Sequence, residues 1–217
     1  MERRLPVYLL LDVSGSMTGE PIEAVKNGMK LLLSSLKNEP QALETVWLSV
    51  ITFGSVAKTV VPLTDLNSFQ EPELQASGTT SMGAALKELQ KSISNDIRKG
   101  DKTKEEKGDW KPLVFLLTDG EPNDDWQSAL NDLDRKNIGV FVACGVQSAN
   151  KATLESITGN ANNVIELDTA SAKKLQEFFQ WVTASITSGV NSVGEGKEPT
   201  DINSLPPVPG EDDADLF

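Results

Sequence analysis

The sequence predicts an α/β protein with a doubly wound, mostly parallel central sheet, one antiparallel edge strand and helices on both faces. Short apolar runs alternate with segments in which apolar residues recur at helical spacing. The apolar runs are almost uninterrupted, which is typical of parallel strands that are buried on both faces. Two runs, residues 45–53 and 56–63, are separated only by Gly54 and Ser55, which predicts a hairpin and therefore an antiparallel edge.

The other elements follow in order along the chain, and each rests on its own apolar pattern. The first helix is the clearest, because Ile22, Val25, Met29 and Leu36 recur at helical spacing on one face. Apolar runs predict further strands at residues 5–11, 113–117, 138–146 and 164–167. Helical patterns predict helices at residues 20–36, 81–98, 126–136, 149–157 and 170–188.

The length of 217 residues favours one α/β domain with a small appendage. We expect the domain to span residues 1–190. Beyond it the composition changes, because residues 191–217 contain seven acidic side chains, one Lys and four Pro among few large apolar groups. Such a composition predicts an acidic, disordered tail. The charged run at residues 98–109 is expected to form a solvated, mobile loop.

Charge and composition exclude several classes of function. The net charge of −12 disfavours contact with nucleic acid and with anionic lipid, so neither is expected as a partner. The chain has no His and one Cys, which excludes His-based nucleophilic systems and zinc sites built on His or thiolate. Cys144 lies in an apolar run and is expected in the core. No apolar run approaches the ~20 residues of a membrane span, and a cytoplasmic location is expected.

Polar oxygens follow the first predicted strand. Alternate residues of an extended segment project to one side, so Asp12, Ser14 and Ser16 are expected to converge at the carboxyl end of that strand. One carboxylate with two hydroxyls is a set of hard oxygen ligands, which suits Mg²⁺ or Mn²⁺. A Ser- and Gly-containing turn that caps the next helix explains the same three residues equally well.

Two later segments bear on this choice. Another apolar strand is followed by Asp119, and ligands bind at the carboxyl ends of parallel strands near the point where strand order reverses. Thr79, Thr80 and Ser81 come just before the second long helix, where a hydroxyl serves either as a metal ligand or as a helix cap.

Together, these three segments resemble the metal-ion-dependent adhesion site of the von Willebrand factor A, or integrin I-like, family. That site reads D-x-S-x-S, then a Thr in a G-G-T-x-x-G-x-A-L stretch, then an Asp after a strand, and the resemblance covers roughly residues 5–190. The resemblance implies a Rossmann-like fold and a bound divalent cation, Mg²⁺ or Mn²⁺. The metal-binding residues that it implies are Asp12, Ser14, Ser16, Thr80 and Asp119.

Within the second of these segments, the family's spacing favours one hydroxyl. Counted from Thr80, Gly83 and the pair Ala85 and Leu86 stand where the family has them, whereas Thr79 replaces the family's second Gly. The resemblance further implies that the two Ser hydroxyls ligate the metal directly and that Thr80 does so in one state. The two Asp carboxylates then act mainly through water, and an Asp or Glu of a partner completes the coordination.

The segment around Asp119 reads T-D-G-E-P-N-D-D-W and is most similar to bacterial tellurium-resistance-type A domains. This resemblance implies a role in a bacterial tellurite- or stress-resistance system. Glu121, Asp124 and Asp125 also have a simpler interpretation, as acidic caps of the helix predicted from Trp126. Trp126 itself is expected to pack against the core.

The sequence therefore predicts a metal-dependent protein-interaction module and no enzyme. Its partner is a protein that supplies an Asp or Glu, and the acidic tail offers a route to self-association. The alternative is a Mg²⁺-dependent phosphotransferase or phosphatase of haloacid-dehalogenase type, which also has an Asp after its first strand. That chemistry normally needs a second Asp two residues on, where this chain has Ser14. A third hypothesis, regulation of an ATPase or kinase, differs from the first only in the partner.

Overall fold

Six strands form one sheet in the computed structural model, which describes residues 3–101, 103, 106–147, 149–199 and 205–206. The strands are β1 (Leu5–Asp12), β2 (Val46–Phe53), β3 (Ala57–Asp65), β4 (Leu113–Thr118), β5 (Val140–Val146) and β6 (Val164–Leu167). Their order in the sheet is β3-β2-β1-β4-β5-β6. All neighbours run parallel except β2 and β3, which form the predicted antiparallel hairpin at one edge. The predicted fold class is confirmed.

Helices cover both faces of this sheet. They are α1 (Glu20–Lys37), α2 (Pro40–Thr45), α3 (Met82–Asp96), α4 (Trp126–Asp132), α5 (Lys151–Thr158) and α6 (Ala172–Gly194). The short helix α2 was not predicted, and α4 ends four residues before its predicted end because Leu133 adopts an extended backbone. Among the described residues, none of the helices combines the length and the apolar character that a membrane span requires.

The core lies in two layers because successive residues of a strand face opposite sides of the sheet. On β1, Leu9 and Leu11 pack with α1 and α6, whereas Leu10 packs with α3 and α4. α1 and α6 approach closely at Gly28, where an added β-carbon would lie 2.2 Å from Cδ2 of Phe179. Cys144 is fully buried, and burial raises the pKa of its thiol, so the predicted core position is confirmed.

The closing helix is longer than predicted. It continues to Gly194 because its apolar face continues, with Val190 and Val193 both buried. The domain boundary predicted at residue 190 therefore falls inside α6, and residues 191–194 belong to the helix. Further on, the Pro206 carbonyl accepts a hydrogen bond from Trp181 Nε1 at 3.0 Å. Tail residues 200–204 and 207–217 lie outside the described residues, so their predicted disorder stays a prediction.

A buried ion pair closes the end of the sheet where β1 begins. Arg4 donates to the Asp109 carboxylate from Nε at 2.9 Å and from Nη2 at 2.5 Å, and its guanidinium lies 4.6 Å from the ring centroid of Trp47. Asp109 Oδ2, which accepts the bond from Arg4 Nη2, also accepts a hydrogen bond from Arg98 N at 2.8 Å. Only 2% of the Asp109 side chain is exposed. The charged run was predicted to be a solvated loop, which is wrong for Asp109, because this acid compensates a buried guanidinium.

Candidate metal centre

β1 ends at Asp12, in the middle of the sheet, next to the point where strand order reverses between β1 and β4. Asp12 is fully buried, and its Oδ1 accepts a hydrogen bond from Ser14 N at 2.8 Å. Ser14 Oγ lies 3.1 Å from Ser16 Oγ. Ser14 makes no side-chain cap bond to the 3-10 turn that follows it, and α1 is preceded by Gly19. Helix capping therefore does not explain these hydroxyls, which face each other at the strand end.

The end of β4 brings a second carboxylate to the same place. Ser16 Oγ donates to Asp119 Oδ1 at 2.8 Å, and Asp119 is almost completely buried. Thr118 Oγ1 donates to Asp12 Oδ2 at 2.6 Å and so joins the two strand ends. The sequence analysis missed this role of Thr118. The pairing of Leu11 with Leu117 places Thr118 beside Asp12, but that register requires knowing that β1 and β4 are neighbours.

The third segment, residues 77–81, runs across the top of these two strands. Its backbone is fixed to the first strand end, because Ser77 N donates to Val13 O at 2.7 Å and Gly15 N donates to Gly78 O at 2.9 Å. Thr80 is 7% exposed, and its Oγ1 lies 3.1 Å from where a β-carbon on Gly120 would be.

Thr79 is oriented differently from Thr80. It is exposed, and its peptide N–H donates to Ser55 Oγ at 3.2 Å, on the β2–β3 turn. Thr80 Oγ1, in contrast, lies against Gly120, the residue that follows Asp119. The geometry therefore favours Thr80 over Thr79 as the hydroxyl that joins the cluster.

Two carboxylates share this enclosed strand end, and the surroundings of Asp12 shift its pKa. Burial raises the pKa of the Asp12 carboxyl, hydrogen bonds from Ser14 and Thr118 oppose that rise, and the nearby charge of Asp119 adds to it. A cation at this position stabilises the ionised forms, because an opposite charge within a few ångströms offsets both burial and mutual repulsion. The electrostatics of the site thus suit a bound cation.

The donor atoms also suit a particular kind of metal. Carboxylate and hydroxyl oxygens are hard ligands of the type that Mg²⁺ and Mn²⁺ prefer. The described residues contain no group of three or more His, Cys, Asp or Glu side chains able to hold a metal ion, and this strand end brings together only two such side chains, Asp12 and Asp119. Beside these two acids stand the hydroxyls of Ser14, Ser16 and Thr80, so hydroxyls outnumber carboxylates among the candidate ligands.

The acids that follow Asp119 have separate structural tasks. Asp125 accepts from Ser128 N at 3.1 Å and caps α4, which confirms the simpler interpretation for this residue. Asp124 was predicted to cap the same helix, which is wrong, because its carboxylate binds the first turn of α3. Glu121 is exposed and accepts from Asn150 Nδ2 at 3.3 Å. Trp126 is half-buried and packs against the core, as expected.

A comparison with protein families agrees with this fold. The model of the von Willebrand factor type A domain matches residues 7–181. The chain therefore belongs to the von Willebrand factor type A domain family. Over 127 residues it is 34% identical to an uncharacterized protein of Synechocystis. The matched stretch makes up 55% of this chain and 26% of that relative. Over 75 residues it is 40% identical to the human collagen alpha-5(VI) chain, covering 33% of this chain and 3% of that one. The chain spans about a quarter or less of these relatives.

Solved structures show the same fold. Proximal thread matrix protein 1 of the mussel byssus superimposes with a TM-score of 0.64 at 23% identity, over 84% of this chain and 48% of that one. A second structure of that mussel protein has a zinc-occupied MIDAS motif and superimposes with a TM-score of 0.59 at 21% identity, over 83% and 45% of the two chains. The pilus adhesin SpaC of Lactobacillus rhamnosus GG superimposes with a TM-score of 0.68 at 17% identity, over 87% of this chain and 30% of the adhesin.

Proposed function

We propose that this chain is a metal-dependent protein-interaction module that binds Mg²⁺ or Mn²⁺ and recognises an Asp or Glu of a protein partner. The metal-binding residues proposed are Asp12, Ser14, Ser16, Thr80 and Asp119. The observation that carries the proposal is the direct link between separate segments, in which Ser16 Oγ bonds to Asp119 and lies 3.1 Å from Ser14 Oγ. Binding modules are the general role of this family, and a pilus adhesin shares the fold.

The hydrogen bonds support different roles for the hydroxyls and the carboxylates. Both Asp12 oxygens already accept bonds from the protein, one from Ser14 N and one from Thr118 Oγ1. We assign Asp12, together with Asp119, to orienting the hydroxyls and the waters around the cation. Ser14 and Ser16 are then the direct ligands, which leaves the cation with little protein charge on it. A weakly neutralised cation attracts a further carboxylate, and the partner provides it.

The zinc-occupied motif of the mussel relative supports a divalent cation at this position of the fold. For this chain we propose Mg²⁺ or Mn²⁺, because all five donor side chains offer oxygen and none offers nitrogen or sulfur. We further propose a bacterial tellurite- or stress-resistance system as the setting, on the T-D-G-E-P segment that begins at Thr118. The cytoplasmic location expected from the sequence stays a prediction.

Capture of a partner tests this function directly. Immobilised wild-type protein is expected to retain a protein from a bacterial lysate in the presence of Mg²⁺, and to release it when a chelator is added. The Ser14→Ala protein, prepared in the same way, is expected to retain nothing above the bare resin. Equal capture by both proteins, with and without chelator, contradicts a metal-dependent interaction.

The acidic tail is a second source of carboxylates, and we propose that it competes with the partner or links copies of the chain. Its acidic run at residues 211–215 lies outside the described residues. The eleven residues after Pro206 span at most roughly 36–40 Å. Truncation after Val190 would cut into α6, so the variant that tests this idea lacks only residues 207–217. The idea is supported if this variant captures more partner, or has a smaller size in solution, than the full chain. If neither quantity changes, the tail is only a solvating appendage.

The phosphotransferase alternative finds no support in this geometry. A nucleophilic carboxylate needs an oxygen free to attack, whereas Asp12 is fully buried and both its oxygens accept internal hydrogen bonds. With Mg²⁺ present, the purified protein is therefore expected to hydrolyse neither ATP nor an aryl phosphate faster than the Ser14→Ala protein. Turnover that Asp12→Asn removes would instead establish the enzyme.

A further inference from the structure

We propose that Asn123 and Asp124 are positioning residues that fix the Thr80 segment against the end of β4 and thereby set the geometry of the metal site. This inference rests on the metal site proposed above and adds two residues to it. Neither residue belongs to the family motif on which that site was recognised. Both lie in the loop that connects Asp119 to α4.

Asp124 holds the first turn of α3. Its Oδ1 accepts from Gly83 N at 2.8 Å and its Oδ2 from Ala84 N at 2.9 Å. The first N–H groups of a helix have no partner within the helix, and a carboxylate there is favoured by the helix dipole. Ser81, which precedes α3, makes no side-chain cap bond. The cap of α3 is therefore supplied from a loop about forty residues further along the chain.

Asn123 holds Thr80 itself. Its peptide N–H donates to Thr80 O at 3.1 Å. Its side-chain amide is satisfied when the nitrogen donates to Thr80 O at 3.0 Å and the oxygen accepts from Thr80 N at 3.0 Å and from Thr79 Oγ1 at 3.1 Å. Both peptide groups flanking the Thr80 side chain are thus bound by one residue. This double contact fixes the backbone from which the Thr80 side chain projects.

The two segments are also in backbone contact. An added β-carbon on Gly83 would lie 2.9 Å from both Asp125 O and Trp126 Cα, so only glycine permits this approach. Because the loop begins directly after Asp119, it joins two parts of the proposed metal site to each other. Without the Asn123 and Asp124 side chains, residues 77–81 would keep their backbone bonds to Val13, Gly15 and Gly54. On the β4 side they would keep the bond from the Asn123 peptide N–H to Thr80 O.

The adjacent Asp125 offers a matched control. Asp125 and Asp124 have the same charge and occupy neighbouring positions, and each caps a helix. Asp125 caps α4 through Ser128 N, and its side chain makes no hydrogen bond to residues 79–84 among those described. A role limited to helix capping therefore predicts the same behaviour for both acids, whereas a positioning role predicts that only Asp124 affects metal affinity.

The experiment is calorimetric titration of Mg²⁺ into the full chain as wild type, Asn123→Ala, Asp124→Ala and Asp125→Ala. We expect roughly ten- to hundredfold weaker binding for the first two variants, the usual effect of losing a residue that orients a ligand. Asp125→Ala is expected to bind within about twofold of wild type. Asn123→Ala leaves the net charge unchanged, so weaker binding by this variant does not arise from lost attraction to the cation.

Asp124→Asn keeps one side-chain oxygen and is expected to recover part of the affinity that Asp124→Ala loses. It also replaces Asp124→Ala if that variant does not fold. Wild-type affinity in both Asn123→Ala and Asp124→Asn overturns the inference, as does an equal loss in Asp125→Ala. If the wild type itself binds no Mg²⁺, the proposed function fails. If the wild type binds Mg²⁺ and these variants bind it as tightly, only this inference fails.

Discussion

Ser14→Ala and Asp12→Ala are expected to lose at least roughly a hundredfold in Mg²⁺ affinity, more than the usual cost of losing a supporting residue. Ser14 Oγ is one of the few uncharged oxygens at the strand end, and it is one of the two proposed direct ligands. Asp12 orients the Ser14 peptide group and, through Thr118, ties the end of β1 to the end of β4. Calorimetric titration of Mg²⁺ into each protein measures the loss.

Neither variant is expected to unfold the metal-free protein. Burial raises the pKa of Asp12, which means that the folded state disfavours its charged form, so removing the carboxylate also removes a cost. Thr118 Oγ1 retains a partner in Gly120. A suitable control is Ser92→Ala, which deletes a buried hydroxyl near the far end of α3. Equal Mg²⁺ affinity in Ser14→Ala and Ser92→Ala would mean that the metal binds elsewhere.

Asp109→Ala is expected to destabilise the fold by about 3–5 kcal/mol, because it leaves the buried Arg4 guanidinium without its partner charge. The carboxylate accepts two hydrogen bonds from Arg4 and one from Arg98 N, and the Asp109 side chain is only 2% exposed. For a chain of this length, each kcal/mol lowers the midpoint of thermal unfolding by roughly 2–4 °C. Differential scanning calorimetry on wild type and variant checks the shift.

The ion pair and the metal site lie at opposite ends of the sheet, so the two effects are separable. Arg4 precedes β1, whereas Asp12 ends it. Below its unfolding temperature, Asp109→Ala is expected to bind Mg²⁺ as the wild type does. Glu166→Ala removes the exposed partner of Lys151 and is expected to change the unfolding midpoint very little, because exposed pairs contribute little. A similar midpoint of thermal unfolding for Asp109→Ala and Glu166→Ala would contradict the claim that a buried ion pair contributes more to stability than an exposed one.

The alternation of apolar runs and helical patterns was sufficient to predict the fold class, because an uninterrupted apolar run by itself indicates a strand that is buried on both faces. The end of α6 was harder to predict, since Gly189 and Ser192 interrupt an apolar face that nevertheless continues to Val193. The buried position of Asp109 was hidden in a run of charges. Nothing local distinguishes this acid from its neighbours, because its partner Arg4 lies about a hundred residues away in sequence.

In the candidate site too, some features could be predicted from patterns along the chain and others could not. The spacing of Asp12, Ser14 and Ser16 indicated that they converge, but it did not separate a metal site from a helix cap. The resemblance to the family favoured the metal site, and the absence of a cap bond at Ser14 now agrees with it. The contacts of Asn123 and Asp124 with residues 80–84 depend on how two loops meet, so no pattern along the chain indicated them.

The most direct test of the metal site is a crystal structure of the protein grown with Mn²⁺, with anomalous diffraction used to locate the ion. The account predicts one strong anomalous peak at the ends of β1 and β4, roughly 2.1 Å from Ser14 Oγ and Ser16 Oγ, with Thr80 nearer to it than Thr79. A fully occupied peak elsewhere, with none at this strand end, would contradict the account.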